Sequence, residues 1–320
     1  TSIIDNGART GELYGVYLQD EWRIFPALTL NSGLRFDGVN QFTKETQLSP
    51  RVNLVLKASE ETSVHAGYSR YFVPPPFELV TPTAISLFNN TTNASAVQQD
   101  DTTRAERWHY FDVGVNQIVV PGLAVGLDGY YKLARNLIDE GRFGAPIILT
   151  AFNYAKAYVA GAVLTISYDQ GPWSIYGNAA YSRALGTDIV PAQFNFAPAE
   201  LAYIAQHYIH LDHDQTWTGS GGIAYTFNKD TKYQTRVSVD FIAQSGLRAS
   251  TPTVPNGASL PEYVAVNASL VQKLDLGIGQ GTELRLDILN IGDAVYEIRN
   301  GTGVGVGAPR TILAGLTQRF

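Results

Sequence analysis

The chain has 320 residues, of which 45% are hydrophobic and only 16% charged, and no basic tract gathers its 23 Lys and Arg against a net charge of −6; nucleic acid is therefore not an expected partner. Zero Cys excludes disulfides, thiolate metal sites and Cys nucleophiles. No stretch reaches the roughly eighteen consecutive apolar residues of a membrane helix, so any spanning falls to strands.

Eighteen Tyr, fourteen Phe and four Trp would supply aromatic girdles at two lipid interfaces. Met is absent even at position 1, and Thr1–Ile4 carries no export signal, so the natural N-terminus is expected upstream.

Residues 1–10 read as loop. From Gly11 the alternation is clear: Tyr14, Val16, Leu18, Trp22 and Ile24 share one parity, and Gly15, Gln19, Glu21 and Arg23 the other. After a turn at Phe25–Ala27, Leu28, Leu30, Leu34 and Phe36 alternate with Thr29, Asn31, Arg35 and Asp37. The polar parity carries ionic groups of both signs, which suits a wet or protein-filled interior and not a dry sandwich core.

Similar strands are expected over Leu48–Lys57 and Thr62–Tyr71, Glu106–Ile118 and Leu123–Ala134, Asn153–Tyr168 and Pro172–Ala184. Thr216–Phe227 and Tyr233–Gln244, then Glu262–Leu274 and Thr282–Asn290, continue the series, and Pro309–Phe320 closes it. Within these pairs the connections are short. Between them lie long excursions at Phe72–Ala105, Arg135–Thr150 and Leu185–His213, a Pro-rich loop to Pro261, and a Gly-rich loop before the final strand. Short turns at one end and long loops at the other are the pattern of an outer-membrane barrel. The expected fold is all-β, an antiparallel transmembrane barrel of about thirteen strands. An odd count leaves first and last strands running the same way, unable to close as an antiparallel pair, so either the count is off by one or earlier strands lie elsewhere.

The residues resemble the TonB-dependent outer-membrane receptor family. Tyr17–Ile24 with Leu28–Asp37 is similar to a mid-barrel hairpin of that family, and Leu48–Val52 with Ala66–Phe72 and Pro74-Pro75 to its next hairpin and proline-bearing loop. Thr103–Trp108 through Asp112–Val115 resembles the strand that follows, Leu211–Gln215 a segment leading into a later strand, and Asn290–Asp293 through Tyr296 with Pro309–Thr311 and Phe320 the terminal pair. The resemblance implies twenty-two strands around an N-terminal plug, with residues 1–320 as the C-terminal portion of the barrel and the plug absent. It implies energised uptake of a bulky nutrient such as a ferric siderophore, cobalamin or glycan at a Gram-negative outer membrane. The partners implied are outer-membrane lipid, the small-molecule nutrient, the plug and TonB, and the barrel-assembly machinery, for which the terminal Phe320 looks like the insertion signal. A passive porin-like channel is the alternative.

Glu21, Arg23, Arg35, Arg51, Asp128, Arg236, Asp240, Glu283, Arg285 and Asp287 are expected on the lumenal, plug-facing parity. Phe77, Phe88, Phe194, Phe196, Tyr203 and Tyr208, large apolar groups in the long loops, are candidate ligand contacts. His207, His210 and His213, with Asp212 and Asp214, form one metal-like cluster, because a spacing of three would align them on a helical turn; Ala197–Gln206 could supply a short helix there. The glycines at 301, 303, 305 and 307 precede no Lys-Ser/Thr, and no Gly-x-Ser-x-Gly, His-Glu-x-x-His or P-loop sequence occurs, so neither a cofactor nor catalysis is expected.

Overall fold

The computed structural model describes residues 10–76, 90–92, 94, 97, 102–143, 148–275, 277, 281–299 and 305–319. Two-residue alternation makes most of them strand. Thirteen strands run in one antiparallel meander: β1 (Glu12–Phe25), β2 (Leu28–Asn40), β3 (Lys44–Lys57), β4 (Thr62–Val73), β5 (Glu106–Val120), β6 (Leu123–Phe143), β7 (Ile148–Gln170), β8 (Trp173–Ile189), β10 (Trp217–Phe227), β11 (Thr235–Gln244), β14 (Tyr263–Leu274), β15 (Gly281–Leu289) and β18 (Thr311–Arg319). The two-residue β9 (Ile209–His210) adds to β8, and two small hairpins, β12 (Arg248–Ala249) with β13 (Ala258–Ser259) and β16 (Glu297–Arg299) with β17 (Gly305–Val306), stiffen segments that the sequence presents as loops.

Register sorts the side chains. Val16, Phe36 and Leu48 form one ladder row, and Leu18, Leu34 and Pro50 the next. Across the middle of the sheet Val115, Leu127, Leu164 and Ala179 are successive partners, and near its end Leu270, Leu286 and Ala314. These rows share one face because ladder partners point the same way. Their large apolar members stand exposed, Leu18 at 78% and Leu127 at 51%. So wide an apolar surface needs a lipid covering. Glu21, Asn31 and Asn53 form a row of the opposite face, as do Gln19, Gly33 and Arg51.

Two unpaired edges remain. Among the described residues β1 pairs only with β2 and β18 only with β15. As first and thirteenth strands of an antiparallel meander they point the same way, in agreement with the odd count expected from the sequence.

The expected excursion at Arg135–Thr150 is corrected: β6 continues to Phe143 and β7 begins at Ile148, so most of that segment is a projecting hairpin. Asn136 on β6 and Asp188 on β8 have left-handed backbones (φ 55° and 60°) on either side of Ala155, and the ladder steps over that row, from Arg135 and Lys156 to Leu137 and Tyr154. This break interrupts the period-two pattern, which is why the upper hairpin does not read as strand. Ala134 and Leu137, three apart, both enter one buried cluster with Phe152, Tyr154, Ala157, Ile189, Phe194, Ile204 and Ile209. The segment after β8 folds over that cluster. Its helix α1 (Pro198–Ile204) starts with proline and with the Glu200 carboxylate accepting the Ala197 N–H at 2.8 Å.

Candidate functional site

The register places Glu21, Arg23, Arg35, Arg51, Asp128, Arg236, Asp240, Glu283, Arg285 and Asp287 on one face, opposite the apolar rows. Some are satisfied within the wall. Arg35 donates to Asp37 at 2.7 Å and Arg285 to Asp287 at 2.6 Å, each two residues along its strand, while Asn267 donates to Asp240 at 2.8 Å. Glu21, Arg23, Arg51 and Arg236 make no hydrogen bond or ion pair among the described residues.

Sequence reasoning missed part of this face. The His65 imidazole on β4 lies 3.3 Å from both the Asp112 and Asp128 carboxylates, on β5 and β6. Gly114 is the residue beneath, where a Cβ would collide with His65 and Asp128, so only glycine leaves them room. Strand parity alone would have put His65 and Asp112 with the lumenal set.

At the long-loop end the segment leading into β5 is held from two sides. Glu45 on β3 accepts the Ala105 N–H at 2.8 Å and pairs with Arg107 at 2.7 Å, and Asn153 on β7 binds the Arg104 main chain. Phe42, Lys44, Glu45, Arg104, Asn136, Asn153, Val190 and Pro191 line a polar cavity of about 710 Å3 there.

The loop aromatics divide. Phe194 is buried in the cluster under the 190–211 segment, with Phe196 and Tyr203 packed against it. Tyr208 packs at a tilt against Tyr158 of the apolar face, ring centroids 5.5 Å apart, and Phe77 and Phe88 lie outside the described residues. The three histidines do not converge. α1 ends at Ile204, before any of them, so their helical spacing never applies. His207 sits on Tyr203, its Nδ1 3.0 Å from that carbonyl; His210 bonds Asp214 at 2.5 Å; His213 pairs with Asp212. Among the described residues no group of three His, Asp or Glu is placed to hold a metal ion. Buried Asp214 also accepts the Ala184 N–H at 3.1 Å and meets Arg248 at 3.4 Å, which fastens the loop to β8 and β12.

The terminal pair is tied through its loop. Asn290, with a left-handed backbone (φ 50°), donates to the Ala294 and Ala308 carbonyls at 2.9 and 3.0 Å, and Asp293 accepts the Arg310 N–H at 2.9 Å. That bond holds the Asp293 carboxyl below its ordinary value. At the opposite rim Lys232 and Asp275 pair at 2.7 Å, which lowers the Asp275 carboxyl and raises the Lys232 ammonium.

The family model described as TonB dependent receptor-like, beta-barrel, matches residues 2–291. The chain belongs to that family. The TonB-dependent receptor barrels are receptors and transporters of the Gram-negative outer membrane, not enzymes, and this barrel chain shares that location. No curated protein sequence matches it. Among solved structures, an FrpB iron transporter from Neisseria meningitidis (F5-1 variant) superposes with a TM-score of 0.72 at 15% identity, over 96% of this chain and 46% of its own. The ferric preacinetobactin receptor BauA from Acinetobacter baumannii gives 0.67 at 13%, over 96% and 42%. The ferripyoverdine receptor of Pseudomonas aeruginosa gives 0.63 at 14%, over 96% and 38%. At such identities the likeness is one of fold, and this TonB-dependent barrel spans less than half the length of each.

Proposed function

We propose that the chain is the C-terminal wall of an outer-membrane receptor for energised uptake of a bulky nutrient, with a ferric chelate as the favoured class and cobalamin or a glycan as others. The observation that carries this reading is the lumenal set Glu21, Arg23, Arg51 and Arg236, charges of both signs left without wall partners among the described residues. Such groups suit a folded plug that supplies complementary charges. This reading requires a plug and a TonB-contacting segment to work with the wall. Ligand contacts fall to Phe196 and Tyr203 with Phe77 and Phe88, and the buried cluster that holds Phe194 supports Phe196 and Tyr203. That the solved structures of similar fold include an iron transporter and two ferric-siderophore receptors favours the receptor over the passive channel.

Uptake of a radiolabelled ferric chelate by cells carrying the complete protein tests it. Uptake should stop when TonB is removed. Uptake that persists without TonB, together with a stable large conductance in planar bilayers, would replace the receptor with the channel.

A further inference from the structure

On the apolar face, near the long-loop end, Arg135 of β6 and Lys156 of β7 are direct ladder partners. Their Cβ atoms are therefore ~4.5–5.5 Å apart, a relation in which like charges repel. Both side chains are exposed, and neither has a hydrogen bond or ion pair among the described residues. In a chain of net charge −6 the pair is no by-product of general basicity. Arg183 of β8 is also exposed and unpaired among the described residues, but it partners Ala160 in the row of Tyr131, four residues down the strand from Thr187, the β8 partner of Lys156, and so stands below the pair.

Height on the wall says what faces them. The outer face of β6 runs from Val125 through Leu127 and Tyr131 to Arg135. Ten residues at ~3.3 Å, tilted by ~40°, rise ~25 Å, the height of an apolar band. Tyr131, Tyr158 and Tyr208 form a chain of rings 6.3 and 5.5 Å apart just below the cations, at the level where aromatic side chains meet headgroups. Arg135 and Lys156 thus sit where the outer leaflet presents its polar groups.

We propose that Arg135 and Lys156 bind the phosphate of a phosphorylated lipid headgroup in the outer leaflet. The guanidinium offers two parallel N–H donors to phosphate oxygens and the ammonium a third charge-assisted bond, and the anion removes the repulsion between the two cations. The tyrosine rings below pack against the first carbons of the acyl chains. The site rests on the membrane orientation of the wall and is independent of what the receptor transports.

The test uses the complete detergent-extracted protein in phosphatidylcholine nanodiscs doped with a monophosphorylated glucosamine lipid or its dephosphorylated counterpart, with retained lipid read by mass spectrometry. The phosphorylated lipid should be retained at least about tenfold over its counterpart, and Arg135→Gln with Lys156→Gln should bring retention to the level of the dephosphorylated lipid. The exchange Arg135→Lys with Lys156→Arg should preserve it. If the double variant does not fold, Lys156→Gln alone should still lower retention. Equal retention of the two lipids, retention unchanged by these glutamines, or displacement by millimolar inorganic phosphate, which would mark a free-anion site, overturns the proposal.

Discussion

Asn153 holds the main chain of Arg104 at both of its polar atoms: Oδ1 accepts the N–H at 2.8 Å and Nδ2 donates to the carbonyl at 3.1 Å. The same Nδ2 donates to the Asn136 carbonyl at 2.8 Å, and the side chain is 1% exposed. One amide on β7 thereby fixes both the segment leading into β5 and the irregular row of β6. Asn153→Ala leaves these groups unpaired, at about 1–3 kcal/mol each for buried ones. Amide exchange at Arg104 should accelerate by roughly fivefold to a hundredfold, with strand amides of β2 unchanged. Asn153→Asp keeps the acceptor for Arg104 and should show a smaller effect. Exchange at Arg104 unaltered by Asn153→Ala would mean the segment is held without it, by Glu45 and by the Thr103 hydroxyl on the Ala151 carbonyl.

Asp293 and Arg310 give a pH-dependent version of the same device at the other end of the chain. The Arg310 N–H holds the Asp293 carboxyl below its ordinary value of 3.8. A carboxyl depressed in the folded state contributes stability that is fully present above its unfolded value and is lost as pH falls through the folded one. The loop between β15 and β18 should thus be unchanged from neutral pH down to about 4 and loosen only below the ordinary carboxylate range. Asp293→Asn should remove that dependence. Exchange at the Arg310 amide, followed against pH in wild type and variant, reads it directly; loosening already at pH 6 would point to another group.

How much could be read in advance depended on whether two residues per period were enough. The wall was legible because Leu18, Leu34 and Leu164 against Gln19, Arg35 and Thr165 repeat a two-residue rule that membrane and lumen both enforce. The upper hairpin was not, because Asn136 and Asp188 change phase through left-handed backbone that composition does not announce. The histidines looked alike at a spacing of three only on the assumption of a helix, and α1 stops short of them. Tyr208 was placed among ligand contacts because its loop was known and its face was not. His65 and Asp112 have the parity of the lumenal set, but their meeting with Asp128 depends on the register across β4, β5 and β6, which no single strand's pattern carries.

Gly186 tests the loop core. The Tyr154 ring lies over it, so that an added Cβ would stand 2.7 Å from the ring's Cγ. Tyr154 is 2% exposed, among Phe152, Ala157 and Ile189, and has little room to retreat. Gly186→Ala should cost about 1–3 kcal/mol through overpacking. The temperature at which the folded band is lost in detergent gels should fall, and Tyr154→Leu on the same chain should recover part of the loss. A variant as heat-resistant as wild type would show that the cluster yields.

Leu164 and Thr165 are neighbours in sequence at one depth of β7 and point to opposite faces. Leu164 partners Leu127 and Ala179 on the apolar side; Thr165 partners Gly126 and Asn178 on the lumenal side. A charge facing hydrocarbon costs about 2–4 kcal/mol at the bilayer midplane and less toward its surfaces. Leu164→Arg, below the midplane, should therefore cost on the order of 2 kcal/mol, roughly a thirtyfold loss in the folded fraction during insertion into phosphatidylcholine vesicles. Thr165→Arg opens onto the small Gly126 and water or plug and should insert nearly as well as wild type. The ratio between the two variants is the measurement, since both add the same side chain one residue apart. Were they to insert equally, or were Thr165→Arg the worse, the assignment of hydrocarbon and lumen to the two faces would have to be reversed or abandoned.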